Sequence, residues 1–209
     1  MKMRYEELTI EGRNAVLEAF RSGKTIDKLF VLDGCHDGPV NTITREARKH
    51  DAIINYVSKE RLDQMSTTGT HQGVIAYAAA YEYADVSDIL KKAEEKGEAP
   101  FVFILDNIED PHNLGAIIRT ANLAGAHGVI IPKRRAVGLT ATVARTSAGA
   151  LNYTPVAKVT NISNTIEDLK KQGMWFVCAD MDGEVMYNHN LTGPIGLVIG
   201  NEGEGVSRL

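Results

Sequence analysis

The sequence predicts an α/β protein, a small α/β unit followed by a larger domain built on a parallel sheet. Two observations carry this. From residue 101 onward, short apolar runs alternate with stretches of helical spacing, the pattern of a parallel sheet with helices on both faces. Residues 1–81 repeat that alternation on a smaller scale, and residues 82–100 hold a mixed charge run ending in Gly97-Glu-Ala-Pro100. The expected division is a unit at 1–81, a joint at 82–100 and a domain at 101–209. Hydrophobic residues make up 44% of the chain and charged residues 24%, enough for a core of ordinary size.

Taken in order, Gly12 to Gly23 reads as a helix with Ala15, Val16, Ala19 and Phe20 on one face and Gly23 as its stop. Lys28 to Leu32 reads as a strand. Pro39 to His50 is a second helix, with proline in the first turn where its missing N–H costs nothing. A strand over Ala52 to Val57, a short helix over Lys59 to Met65 and an apolar strand over Gly73 to Ala80 complete the unit. In the joint, Asp85 or Ser87 can cap a helix running to Lys96. Beyond it, strands are expected at 101–105, 127–131, 154–158, 174–179 and 194–200, with helices at 113–124, 140–147 and 161–172.

The stretch Asp106 to Ala121 is the chemically unusual one. It follows the apolar run Phe101 to Leu105 and precedes the helical spacing of Leu114, Ile117, Ile118 and Ala121. Its polar residues therefore sit at the carboxyl end of a strand, where open α/β sheets bind ligands. Pro111 stiffens the backbone, Asn113 is suited to cap the helix, and Gly115 permits a close neighbour. Arg119 stands among apolar residues six positions after Asn113. Spacing alone is equally satisfied by a capped helix whose arginine reaches for water.

The other candidates are basic or glycine-rich. Lys133-Arg134-Arg135 follows the strand ending in Ile131-Pro132, and three adjacent cations suit nucleic-acid phosphates; Arg145 can add to them. Gly200, Gly203 and Gly205 surround Glu202 after an apolar strand, but neither a Walker sequence nor Gly-x-Gly-x-x-Gly is present. The six histidines show no metal-binding spacing, and Cys35 and Cys178 form no metal-type pair. They read as reduced, buried thiols of a cytosolic protein. No apolar run reaches membrane-spanning length, and the first residues lack the apolar core of a secretion signal. The 11 basic residues of 1–81 match its 11 acidic ones, so the net charge of −4 falls on the remainder. Any nucleic-acid surface must be a local patch.

The wording of two stretches adds more. Asp106-x4-Pro111-x-Asn113-x-Gly115-x-Ile117-x-Arg119-Thr120-Ala121 resembles the first motif of the SpoU (TrmH-type) ribose 2′-O-methyltransferases of the SPOUT superfamily. Ile199-Gly200-Asn201-Glu202-Gly203-Glu204-Gly205 resembles their second. Gly12-Arg-Asn-Ala-Val-Leu-Glu-Ala19 with Thr70-His-Gln-Gly-Val-Ile-Ala76 is similar to the RNA substrate-binding domain of the members that methylate a guanosine of large-subunit rRNA. This likeness implies a SPOUT methyltransferase domain of the trefoil-knot type and S-adenosylmethionine as cofactor. It also implies a large-subunit rRNA substrate, a homodimer formed through the catalytic domain, and a cytoplasmic location. It assigns catalysis to Arg119, Asn113 and Glu202, and the cofactor to Ile199, Gly200 and Gly203, with Asp180 to Gly183 as a further approach. RNA contact is expected from Arg13, Lys133, Arg134, Arg135 and Arg145, and from Asn14, His71 and Gln72 if these are not engaged in capping. A tRNA-directed enzyme or a non-catalytic RNA-binding relative are the alternatives. The family's third motif, a Ser-Leu-Asn segment, has no counterpart before Leu209. The expectation is a methyltransferase domain without its knot segment and with part of its cofactor pocket missing.

Overall fold

In this computed structural model residues 8–207 are described. The reading of the N-terminus on Met1–Glu7 lies outside them. The chain forms two compact units, residues 1–82 with 138–141, and residues 83–137 with 142–209.

The first unit is a mixed four-stranded sheet in the order β1-β4-β2-β3, where β1 is Thr9–Glu11, β2 Ile26–Leu32, β3 Ile53–Val57 and β4 Val74–Ala78. β2 and β3 run parallel, and β4 is antiparallel to both β1 and β2. The helices are α1 (Arg13–Arg21), α2 (Gly38–Lys49) and α3 (Lys59–Met65). Their starts follow from short-range chemistry: the Asp37 side chain accepts from the Val40 amide, and Ser58 accepts from the Arg61 amide. α1 begins after Gly12, which has no side chain to cap with, and the Gln72 Oε1 instead accepts from the Arg13 amide at 3.1 Å. Val16, Phe20, Leu29, Val31, Ile43 and Val74 form the core.

The second unit is an all-parallel sheet in the order β7-β6-β5-β9-β8. Its strands are β5 (Phe101–Leu105), β6 (Gly128–Pro132), β7 (Val156–Val159), β8 (Trp175–Cys178) and β9 (Ile195–Ile199). The helices are α4 (Val86–Lys96), α5 (Pro111–Leu123), α6 (Ala141–Thr146) and α7 (Ile162–Lys171). The stretch read as a joint is thus largely a helix of this unit. The Asp88 carboxylate accepts from the Asp85 amide at the start of α4, left-handed Gly97 ends it, and Ile89 packs on Gly128, where a Cβ would lie 2.6 Å from its side chain. Ile89, Val102, Ile104, Ile130, Ile166 and Val198 lie in the core. Strands buried on both faces account for the unbroken apolar runs Phe101 to Leu105 and Val129 to Ile131.

The register of β5 against β9 pairs Phe101 with Ile195 and Leu105 with Ile199. Chain order runs from β5 outward through β6 to β7 on one side and returns through β8 to β9 on the other. The switch point therefore lies between β5 and β9, and the loops leaving their carboxyl ends begin side by side. Among the described residues no helix is long and apolar enough to cross a membrane.

Candidate active site

Two loops make the site, 106–110 after β5 and 200–207 after β9. The Asp106 amide donates to the Ile199 carbonyl at 2.8 Å, carrying the ladder one step past the strands. The Asp106 side chain, only 6% exposed, accepts from the Ser207 amide at 2.7 Å. The chain that leaves the second loop is thereby held against the start of the first.

Helix α5 is capped one turn earlier than Asn113. The Asp110 carboxylate accepts from the amides of His112 (2.7 Å) and Asn113 (2.9 Å), and Pro111 occupies the first helical position. This corrects the capping role read for Asn113. Its side chain is free for another task, and the Asn113 Nδ2 donates to Glu202 Oε2 at 3.3 Å. Gly115 has its close neighbour within the same unit: a Cβ there would lie 1.9 Å from the Thr146 Oγ1, so only glycine lets α6 approach.

The glycine-rich loop is closed by two backbone hydrogen bonds of 2.9 Å between Asn201 and Gly205. A Cβ on Gly200 would lie 2.1 Å from the Gly205 carbonyl carbon, a distance backbone cannot yield to, so position 200 excludes every side chain. A cavity of about 510 Å³ lies against this loop, lined by Ile199 to Val206 and by Ala179 to Asp182. A second cavity of about 450 Å³ is lined by Ile108, Glu109, Asp110, Asn113 and again Asn201, Glu202 and Gly203. Cys178 ends β8 at the sheet edge and is exposed, and Cys35 is half-buried, which corrects the burial read for both. Partial desolvation, with the Asp180 and Asp106 charges, still pushes the Cys178 thiol up from the ordinary value.

The structure brings Asn113 and Glu202 together, and it sets Ile199, Gly200 and Gly203 on the first cavity's wall. It does not bring Arg119 to them. Six residues along an α-helix turn the side chain about 240° around the axis and 9 Å along it. Arg119 is exposed and makes no hydrogen bond or ion pair among the described residues. Arg134, Arg135 and Arg145 are exposed, Lys133 is half-buried, and Arg135 takes a left-handed backbone at φ 55°.

In the first unit three of the polar residues expected at RNA, Arg13, His71 and Gln72, are engaged within the fold. Arg13 Nη2 lies 2.7 Å from Asp37 Oδ2, and its Nε donates to the Gln72 carbonyl at 3.0 Å. The Val40 amide, then the Arg13 charge, hold the Asp37 carboxyl below the ordinary carboxylate value. His71, 8% exposed, accepts from the Gly73 amide at Nδ1, which leaves Nε2–H for Asp63 at 2.9 Å. Gln72 spends its side chain on capping α1, from a left-handed backbone at φ 51°. Asn14 stays exposed, beside a cavity of about 500 Å³ that Arg13, Gln72 and Pro39 also line. Glu11 is a second clamp. Burial pushes its carboxyl up, but hydrogen bonds from Ser66, Thr67 and Thr68 outweigh this and bring it down to about 2. Asp106 and Asn201 lie in the two quoted motifs, yet no role was read from sequence for either of them or for Asp110. Of these only Asp110 has a local signal, since a proline at the first helical position puts the cap on the residue before it.

Residues 100–209 match the model of the SpoU rRNA Methylase family, and residues 9–84 match that of RNA 2′-O ribose methyltransferase substrate binding. A Bacillus subtilis protein named "Putative TrmH family tRNA/rRNA methyltransferase YacO" is 50% identical over 200 residues, covering 95% of this chain and 80% of that one. A Staphylococcus saprophyticus protein of the same description is 47% identical over 205 residues, covering 98% and 82%. Among solved structures, an AdoMet-bound rRNA methyltransferase from Sinorhizobium meliloti has a TM-score of 0.52 at 24% identity, over 96% of this chain and 72% of that one. The SpoU methyltransferase AviRb from Streptomyces viridochromogenes, also with AdoMet, has a TM-score of 0.53 at 21% identity, over 95% and 74%. These two share the fold. With a family model over more than half of its length and a relative half identical across four-fifths of that relative, this chain belongs to the SpoU rRNA methylase family.

Proposed function

We propose that the protein transfers a methyl group from S-adenosylmethionine to the ribose 2′-hydroxyl of a guanosine in large-subunit rRNA, working in the cytoplasm as a homodimer. The observation that carries this reading is the meeting of Asn113 and Glu202 across the switch point, with Glu202 also lining the neighbouring glycine-walled cavity. The residues present suit that cofactor. Gly200 leaves bare backbone at the loop's tightest point, and the cavity's two walls, Ile199 to Gly203 and Asp180 to Asp182, offer apolar surface, backbone groups and carboxylates together.

S-adenosylmethionine supplies an electrophilic methyl group, and the chain's own part is to position the hydroxyl and manage its charge. Arginine offers only donors and stays charged, so Arg119 is assigned to orient the 2′-hydroxyl and stabilise the developing alkoxide, while the hydroxyl proton leaves to water or to an RNA phosphate oxygen. Asn113 and Glu202 hold the nucleotide between the two loops. Arg119 lies well around the helix from Asn113, which favours the dimer, where a second copy's arginine would complete the pair. Lys133, Arg134, Arg135 and Arg145 are assigned to RNA phosphates, with Arg13 and Asn14 as the first unit's polar edge. The curated relatives carry both tRNA and rRNA in their names, so a tRNA substrate is the second reading.

The test is Arg119→Ala. Binding of S-adenosylhomocysteine by calorimetry should stay within about twofold, while transfer to an unmodified rRNA transcript falls by more than about 100-fold. Undiminished transfer would remove Arg119 from the mechanism. Preference for tRNA transcripts in the unmodified protein would move the substrate to the second reading.

A further inference from the structure

We infer that Asn201 is a positioning residue whose single side-chain amide couples the cofactor loop to the RNA-side loop. The inference rests on the functional reading above. Asn201 Oδ1 accepts from the amides of Gly203 (2.8 Å) and Glu204 (3.3 Å), both within its own loop. Its Nδ2 donates to the Asn107 carbonyl at 3.0 Å, across the switch point. The orientation of the amide is forced, because two N–H donors face one end and a carbonyl acceptor faces the other. Asn107 answers with a left-handed backbone at φ 56°, a conformation that asparagine tolerates better than most side chains.

The turn that this amide holds is shared by two cavities. Asn201, Glu202 and Gly203 line both the cavity walled by Asp180 to Asp182 and the one walled by Ile108 to Asn113. The Oδ1 end shapes the turn that carries Glu202 and Gly203. The Nδ2 end fixes how far that turn stands from the loop leading into α5, and so sets the Asn113–Glu202 contact of 3.3 Å. In a displacement reaction the donor and acceptor must align closely, and a small shift between the two loops reduces turnover without emptying either pocket.

Two substitutions separate the ends. Asn201→Asp keeps the acceptor for Gly203 and Glu204 but sets a carboxylate oxygen against the Asn107 carbonyl. Asn201→Ala removes both. S-adenosylhomocysteine calorimetry, steady-state transfer to unmodified rRNA transcript and hydrogen exchange at the Gly203 amide are measured on the whole chain. For Asn201→Asp, cofactor affinity and Gly203 protection should stay within about threefold of the unmodified chain while kcat falls at least about tenfold. For Asn201→Ala, Gly203 protection and cofactor affinity should both fall about tenfold or more. Equal effects of the two substitutions, or an unchanged kcat in Asn201→Asp, would overturn the inference. Should the unmodified chain bind no S-adenosylhomocysteine, the functional reading fails, and Gly203 exchange still judges the staple. Protection kept in Asn201→Asp and lost in Asn201→Ala supports it, and equal exchange in all three refutes it.

Discussion

The two units treat polar residues at a helix start in opposite ways. In the first, the conspicuous side chains at the start of α1 are consumed by the fold. Arg13 bridges Asp37 and the Gln72 carbonyl, Gln72 caps the helix, and His71 is held between Gly73 and Asp63. In the second, less conspicuous residues do the structural work. Asp110 caps α5 and Asp106 holds Ser207, so Asn113 and Arg119 are not needed to start the helix. A polar residue that the fold does not need is the better candidate for chemistry, because its conformation is available to a ligand.

This contrast has measurable consequences. The largest is the loss of transfer in Arg119→Ala, with little change in stability, since Arg119 makes no hydrogen bond or ion pair among the described residues. Next is Gly200→Ala. Its Cβ meets Gly205 backbone at 2.1 Å, so the loop must move. Overpacking of this kind costs about 1–3 kcal/mol, and S-adenosylhomocysteine affinity should fall more than about tenfold by calorimetry.

Arg13→Ala should behave in the opposite manner from Arg119→Ala. Its ion pair with Asp37 leaves the two side chains 31% and 42% exposed, so solvent screens it, and the hydrogen bond to the Gln72 carbonyl contributes about 1 kcal/mol. The melting temperature should drop by roughly 3–6 °C, with transfer by the folded protein reduced only modestly. A large loss of RNA affinity at unchanged melting temperature would instead make RNA contact the main task of Arg13 and narrow the contrast between the units.

The smallest effect concerns Glu11. Its folded-state value of about 2 lies below the ordinary 4.5, so its stabilisation is complete above 4.5 and is lost as pH falls through 2. Glu11→Gln should be less stable than the unmodified protein near neutral pH. The gap in denaturant midpoint should narrow steadily between pH 4.5 and 2. A gap independent of pH would mean that the hydroxyl cluster of Ser66, Thr67 and Thr68 does not favour the charged carboxylate.

The alternation of strands and helices was legible because each period is long enough to count, and α3 and β5 have the bounds that spacing gave them. β1 was not seen, since three residues, Thr9–Glu11, carry no period. Val86–Lys96 was recognised as a helix but read as a joint, because its charges were visible and the packing of Ile89 on Gly128 was not. The same limit applies to the site. Asp106 and Asn201 fall within the two motifs, but what they do there is done through partners 101 and 94 positions away, a distance no local pattern can reveal.

The most direct measurement is transfer of labelled methyl from S-adenosylmethionine to unmodified large-subunit rRNA, followed by alkaline hydrolysis. A 2′-O-methyl group blocks cleavage of the adjoining phosphodiester. The expected result is label in a single alkali-resistant dinucleotide carrying guanosine, absent with Arg119→Ala. Label on a base, or transfer that survives the loss of Arg119, would contradict the assignment of this site to ribose 2′-O-methylation.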